Sequence, residues 1–191
     1  DWTLSMNEEQ AKTVAREILE DIRLACSAKK STLRICFSNS RSFRKDIYPE
    51  YKANRKNLRK PLGIKGIRRW LSHEYKTLQY DYLEADDVIG IHMTKPGKMI
   101  KVAVSIDKDM KTIPGTHYNP DTGESLEISE AEADYNFYRQ ILTGDSTDNY
   151  PGCPSVGPKT ADKILSKYDP DDFQNAICET YRKNNVDNQL Q

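Results

Sequence analysis

Residues 99–109 read MIKVAVSIDKD. The apolar part, MIKVAVSI (99–106), is the strongest strand signal in the chain, and it runs straight into Asp107-Lys108-Asp109. In an open α/β sheet, sites form in the crevice beyond the carboxyl ends of the strands. Asp107 and Asp109 stand where such a crevice would open. Their i, i+2 spacing points both side chains the same way if strand geometry persists.

Working outward, 7–28 predicts an amphipathic helix with Asn7 as N-cap, and TLRICFS (32–38) predicts a strand. Residues 43–60 read as basic mixed loop and helix, 64–75 as helix and 78–82 as a short strand. Glu84–Met93 reads as a helix with Glu84, Asp86 and Asp87 at its first turn. Residues 112–118 suggest another strand, and Pro120-Asp121-Thr122-Gly123 a turn. Residues 129–142 are helical, with Ser129 and Glu132 at capping-box spacing. Two more helices follow at 158–167 and 171–184. This alternation predicts an α/β class, with a central, mostly parallel sheet flanked by helices over 1–135. A helical module is expected over 136–191, its acids joining the site of the core.

The chain has 191 residues, 37% hydrophobic and 30% charged. That is enough for one domain, or one domain with a small appended module. No apolar run approaches the roughly 20 residues of a membrane helix. There is no secretory signal, and the expected place is the cytosol, the host's if a phage encodes the chain. Cys26, Cys36, Cys153 and Cys178 are scattered without zinc-ligand spacing, so neither a zinc site nor a disulfide framework is expected.

The zero net charge hides two blocks. Arg41–Lys76 carries twelve Lys/Arg against three acids, a net of +9, whereas Thr77–Asp148 carries fourteen acids against six Lys/Arg, a net of −8. Such a split suits a chain that holds a polyanion with one block and metal cations with the other.

Seven acids fall in three groups: Glu84, Asp86 and Asp87; Asp107 and Asp109; Asp145 and Asp148. Brought together they repel one another unless cations neutralise them. Hard divalent ions with oxygen ligands, Mg²⁺ or Mn²⁺, suit such donors. A pair of ions serves phosphodiester hydrolysis. An acid in the first turn of a helix is also commonly a cap or dipole partner, a role that Glu84, Asp86 and Asp87 fit as well. In the basic block, Lys52 and Arg55 lie at i, i+3, one face of a helix, where they could meet a phosphate. Tyr48 and Tyr51 interleave aromatics suited to base stacking. Arg59 and Lys60 would add salt-dependent phosphate contacts. In Gly157-Pro158-Lys159-Thr160 a glycine turn opens a helix, with backbone amides that suit phosphate.

Four stretches together, YPEYKANR (48–55), LEADDVIG (83–90), SIDKDMKTI (105–113) and GDSTDNYPGCPSVGPKTA (144–161), resemble the 5′ nuclease family in residues, order and spacing. That family includes flap endonucleases, the 5′-nuclease domain of bacterial DNA polymerase I and bacteriophage 5′–3′ exonucleases, and the phage enzymes are the nearest in form. The resemblance covers residues 33–168. It implies a two-metal phosphodiesterase with a parallel-sheet core, a basic arch over about 41–76, and a helix–three-turn–helix DNA-binding module. Glu84, Asp86 and Asp87 match one metal cluster; Asp107, Asp109, Asp145 and Asp148 match the other. Lys52 and Arg55 match the basic pair beside the scissile phosphate. Carbonyls around Cys153 and Val156 match a K⁺-holding hairpin, and Lys159 and Thr160 its duplex-phosphate contact.

Two departures stand out. The family's opening strand, with its DGD-like motif, has no counterpart in a chain that starts at Asp1-Trp2, and is expected in the intact protein. Asn39 stands where the family carries a metal-binding Asp, and an amide is a weaker, neutral ligand. The expected activity is 5′–3′ exonuclease and 5′-flap endonuclease on DNA, with RNA in RNA–DNA hybrids as a further substrate, replication proteins as partners, and a monomeric state. A PIN-type ribonuclease and a DNA-structure-binding protein with a weakened site are the alternatives.

Overall fold

The structure, a computed structural model, describes residues 7–55, 61 and 63–184. Along the chain run α1 (Glu8–Ala25), β1 (Ile35–Cys36), α2 (Arg44–Ile47), α3 (Ile64–Glu74), β2 (Thr77–Leu78), α4 (Ala85–Thr94), β3 (Val102–Val104), β4 (Gly115–Asn119), β5 (Glu124–Ile128), α5 (Glu130–Thr143), α6 (Pro158–Leu165) and α7 (Phe173–Lys183). Short 3₁₀ turns occupy Lys30–Thr32, Ala53–Arg55, Lys108–Thr112 and Pro170–Asp172. The class is α/β, as expected. No helix among the described residues is long and apolar enough to cross a membrane.

The sheet differs from the expected single, central one: the described strands form two small sheets. β1 and β2 pair in parallel, with Ile35 opposite Thr77 and Cys36 opposite Leu78. β3, β4 and β5 lie side by side in that order. The strands are shorter than predicted because local structure competes at their ends. The turn at Lys30–Thr32 delays β1, and the 3₁₀ turn at Lys108–Thr112 begins soon after β3. Strand β5 was not predicted; its apolar alternation is limited to Leu126 and Ile128, between two glutamates and the cap of α5, and only Ile128 is buried. It returns from β4 across the predicted turn, which closes through Gly123 N–H donating to Asn119 O at 2.8 Å.

The chain forms two compact units and crosses between them repeatedly. The first draws its described residues from Asp1–Phe43, Leu58–Ile106 and His117–Leu126. Here α1 starts at Asn7, whose side chain accepts from Gln10 N–H at 2.8 Å while the Gln10 side chain accepts from Asn7 N–H at 3.1 Å. Arg16 lies over the Trp70 ring of α3 at 5.3 Å. α4 packs on β1 and β3, with Val88 and Ala103 buried.

The second unit draws on Arg44–Asn57, Asp107–Thr116 and Glu127–Gln191. α5 opens with the predicted capping box: Ser129 Oγ accepts from Glu132 N–H at 3.2 Å, and Glu132 Oε2 from Ser129 N–H at 2.9 Å. Its core joins α5, α6, α7 and the loop between α5 and α6 through Leu142, Cys153, Val156, Ala161, Leu165, Phe173, Ile177 and Tyr181. Each large side chain buried there contributes about 1.5–3 kcal/mol. Asp162 on α6 accepts from Arg139 Nε at 2.5 Å and Tyr135 OH at 2.8 Å, tying α6 to α5.

The loop leaving α5 closes by backbone contact. Gly144 and Gly152 sit at φ +72° and +67°, and a Cβ on Gly144 would lie 2.5 Å from Gly152 N. Only glycine combines that torsion with such an approach. Asp145 and Tyr150 then pair as a two-residue bridge, N–H to O at 2.7 and 2.8 Å. The four residues Ser146–Asn149 are presented as a tight loop at its tip.

Candidate active site

Within the second unit, Asp107 ends its extended run and caps the following 3₁₀ turn, its Oδ1 accepting from Asp109 N–H at 2.9 Å. The strand geometry expected to align Asp107 and Asp109 therefore does not persist. The turn instead carries Asp109 to Asp145. The two carboxyls are hydrogen-bonded to each other, and Asp109 is pushed up to about 6, by burial first, then by the Asp145 contact and the Asp107 charge. Asp145 goes the other way. Burial pulls it upward, but the hydrogen bonds from Thr147 and Asp109 outweigh that and hold it below the ordinary carboxylate value. Its Oδ1 accepts from Thr147 N–H at 2.7 Å.

Asp148 meets different company. Its Oδ1 accepts from Arg55 Nη2 at 2.7 Å, its Oδ2 accepts from Tyr51 OH at 2.9 Å, and Lys52 Nζ stands 3.6 Å from Oδ2. The backbone joins in, Lys52 N–H donating to Asp148 O at 2.9 Å. Lys52 sits in the left-handed region at φ 55°, and Ala53–Arg55 form a 3₁₀ turn. The two cations thus do not share a helix face, as their spacing suggested. A tight turn brings them together on one carboxylate. Beside this loop lies a depression of about 380 Å³ lined by Tyr48, Thr143, Ser146, Asn149, Tyr150 and Pro151.

In the first unit, Glu84 is the N-cap of α4, and its amide donates to Asp87 Oδ2 at 2.9 Å. Glu84 and Asp87 take the capping role that their place in the first turn allowed. Asp86 is exposed on the same turn. Asn39 lies beside them in the chain's hydrogen-bonding: its amide donates to Leu83 O at 2.9 Å, and Ala85 N–H donates to Ser38 Oγ at 3.0 Å. The Asn39 side chain accepts from Arg41 N–H at 3.1 Å and donates to Asp81 Oδ1 at 3.4 Å.

The stretch 152–160 is buried at Gly152, Cys153 and Val156 and exposed at Gly157, Pro158, Lys159 and Thr160. Gly157 is the N-cap of α6 and Pro158 its first residue. Cys153 O accepts from Val156 N–H at 3.1 Å, and Asn184 Nδ2 donates to Pro154 O and to Cys153 Sγ, both at 3.2 Å. Arg59 and Lys60 lie outside the described residues. All four cysteines are free.

The structure thus gathers Asp107, Asp109 and Asp145 in one neighbourhood and Asp148, Lys52, Arg55 and Tyr51 in another, both in the second unit. Glu84, Asp86 and Asp87 form a separate turn of the first. Among the described residues, no three His, Cys, Asp or Glu side chains stand in the arrangement of a metal site. The donor chemistry of the Asp109–Asp145 pair nonetheless fits a hard divalent cation: two oxygen-only ligands whose proximity makes ionising both costly, a cost that a cation would offset. Sequence reasoning missed Asn54 and Asn149, which bridge the basic segment and the acid loop. The one signal was Asn149 itself, a residue type that tolerates the left-handed φ of 59° found there.

Residues 5–134 match "5'-3' exonuclease, N-terminal resolvase-like domain", and the chain belongs to that family. Among its relatives, an exodeoxyribonuclease of Enterobacteria phage T3 is 35% identical over 164 residues, covering 80% of this chain and 54% of the phage protein. A flap endonuclease Xni of Shewanella oneidensis is 33% identical over 143 residues, covering 66% of this chain and 54% of that protein. This chain therefore spans about half the length of these relatives. The fold is similar to that of the D15 protein of phage T5 crystallised with metal ions, with a TM-score of 0.71 at 16% identity, over 92% of this chain and 79% of the T5 chain.

Proposed function

We propose that this chain is the catalytic part of a metal-dependent phosphodiesterase, a 5′–3′ exonuclease that also cuts 5′ flaps from DNA. The observation that carries the reading is the Asp109–Asp145 carboxyl pair, set in the same unit as the Lys52–Arg55–Asp148 cluster. Membership in the family supports it, as does the phage T5 flap endonuclease solved with DNA and metal ions, whose fold this chain shares.

Asp109, Asp145 and Asp107 would hold one Mg²⁺ or Mn²⁺, while Asp148, expected among its ligands, is held by Arg55 and Tyr51. Glu84, Asp86 and Asp87 would hold a second, with Asn39 as a neutral neighbour. Such ions, when bound, supply an activated water and offset charge on the leaving oxygen. Lys52 and Arg55 would pair with the phosphate being cut, where negative charge grows in the transition state. Tyr51, expected to stack on a base, is instead buried at 8% exposure with its hydroxyl on Asp148, so its part in this reading is to hold that carboxylate. The exposed face at Gly157, Lys159 and Thr160, with Arg59 and Lys60 elsewhere, would hold duplex phosphates. Carbonyls of Cys153 and Val156 are the proposed K⁺ ligands. RNA strands of RNA–DNA hybrids are a further substrate class in this reading, which places the protein in replication as a monomer.

The test is incubation of the whole protein with a 5′-flap duplex and, separately, a single-stranded RNA, each with Mg²⁺ or with EDTA. Cutting near the flap junction that EDTA abolishes is the expected result. Cutting of the RNA alone points to a ribonuclease, and duplex binding without cleavage of either points to a binding module; both overturn the proposal.

A further inference from the structure

Two side-chain amides join the basic segment to the acid loop, and neither belongs to the expected chemistry. Asn54 Nδ2 donates to Ser146 O at 2.9 Å and to Thr147 O at 3.4 Å. Asn149 Nδ2 donates in the opposite direction, to Glu50 O at 2.8 Å. Between these ties lie Tyr51 and Lys52 on one side and Asp148 on the other, with Arg55 and Asp145 just beyond them. We infer that Asn54 and Asn149 are positioning residues that clamp the segment 50–55 onto the loop 145–149. The clamp gives Lys52 and Arg55 one fixed place relative to the acids. The inference rests on the nuclease reading of this site for its effect on rate, while the clamp itself can be measured without any substrate.

The chemistry of the two positions supports the assignment. Every acceptor in the clamp is a main-chain carbonyl, so each tie needs an N–H donor that reaches across; a carboxylate of the same shape would repel, and a hydroxyl is too short. Position 149 also stands at φ 59°. Asparagine tolerates that conformation and supplies the donor, whereas glycine meets only the first need and most residues meet neither. Lys52, at φ 55°, holds a costly conformation that persists only where its surroundings over-determine it. Two amide ties, Lys52 N–H on Asp148 O and Arg55 Nε on Thr147 O at 3.1 Å are such surroundings. Ion pairs alone would leave two long side chains free to wander. A misplacement of about 1 Å at a reacting centre can cost about 10²-fold in rate.

The test uses Asn54→Ala, Asn149→Gly and Asn149→Asp in the whole protein. Glycine keeps the left-handed backbone without strain, and aspartate keeps the shape, so one of the two remains folded and informative. Two readouts are taken: amide hydrogen exchange at Lys52 and Arg55 without DNA, and single-turnover cleavage of a 5′-flap duplex with Mg²⁺. The clamp predicts faster exchange at both amides, a cleavage rate lower by about 10- to 100-fold, and duplex affinity within about 3-fold of wild type. It also predicts that Arg55→Ala costs far less in the Asn54→Ala background than alone, because the arginine has already lost its place. Unchanged exchange at Lys52 in every variant overturns the inference, and so do rate losses that simply multiply. If the wild-type protein does not cut the flap, the nuclease reading falls and the exchange result alone decides the clamp.

Discussion

At the residue scale, Asp109 carries the clearest electrostatic consequence. Its folded value of about 6 lies above its ordinary value of 3.8, so the unfolded chain releases this proton first as pH rises. Well below pH 3.8 both states hold the proton and the carboxyl costs nothing. Between about pH 4 and 6 stability falls, and above that the loss is constant. Asp109→Asn removes the decline. With EDTA present, the variant is expected to be more stable than wild type at pH 7.5 by about 1–2 kcal/mol, a range discounted for partial exposure, and most of that difference is expected to be gone near pH 4. Denaturant unfolding at the two pH values checks this, and equal stability at pH 7.5 contradicts it. Mg²⁺ should stabilise wild type more than the variant. The acids of this site were legible in the sequence because DKD and GDSTD are dense, oxygen-only motifs. Asn54 and Asn149 were not, because their partners are backbone carbonyls some 90 residues away, and no side-chain pattern encodes them.

At the element scale, the loop after α5 depends on two glycines for different reasons from those at an ordinary turn. At Gly152 a Cβ meets the backbone of Thr143 at 2.5 Å, and φ is already +67°. Gly152→Ala therefore strains the torsion and pushes the strands of the Asp145–Tyr150 bridge apart. A loss above about 3 kcal/mol is expected. Gly123, at φ +73° with open space around it, is the control: Gly123→Ala should cost about 1–2 kcal/mol. Unfolding of both variants measures the difference, and equal losses would mean that close approach adds nothing. Helices were readable because caps and apolar spacing are local: Asn7 caps α1 as its position suggests, and Ser129 with Glu132 forms the expected box. Strands were over-read. MIKVAVSI yields only Val102–Val104 in a strand, with Met99 and Ile100 left 74% and 91% exposed, because pairing needs a neighbour that local propensity cannot specify. The turn at Lys52 was hidden for the same reason, since a left-handed lysine follows from what surrounds it.

At the scale of the whole molecule, the two units divide the expected chemistry. The second unit holds the Asp109–Asp145 pair, the basic cluster on Asp148 and the hairpin, and the first holds the α4 acids and Asn39. The class α/β and the family were legible because four motifs keep order and spacing over most of the chain. The chain's repeated crossing between units was not, since no composition shift marks it. The central claim is that Asp145 serves the cut and not the grip, because its carboxyl faces Asp109 while the exposed residues 157–160 lie at the far end of the hairpin. The measurement is cleavage and binding of a 5′-flap duplex by Asp145→Ala with saturating Mg²⁺. The account predicts a cleavage rate lower by about 10³-fold or more, with duplex affinity within about 3-fold of wild type. A cleavage rate near that of wild type would contradict it.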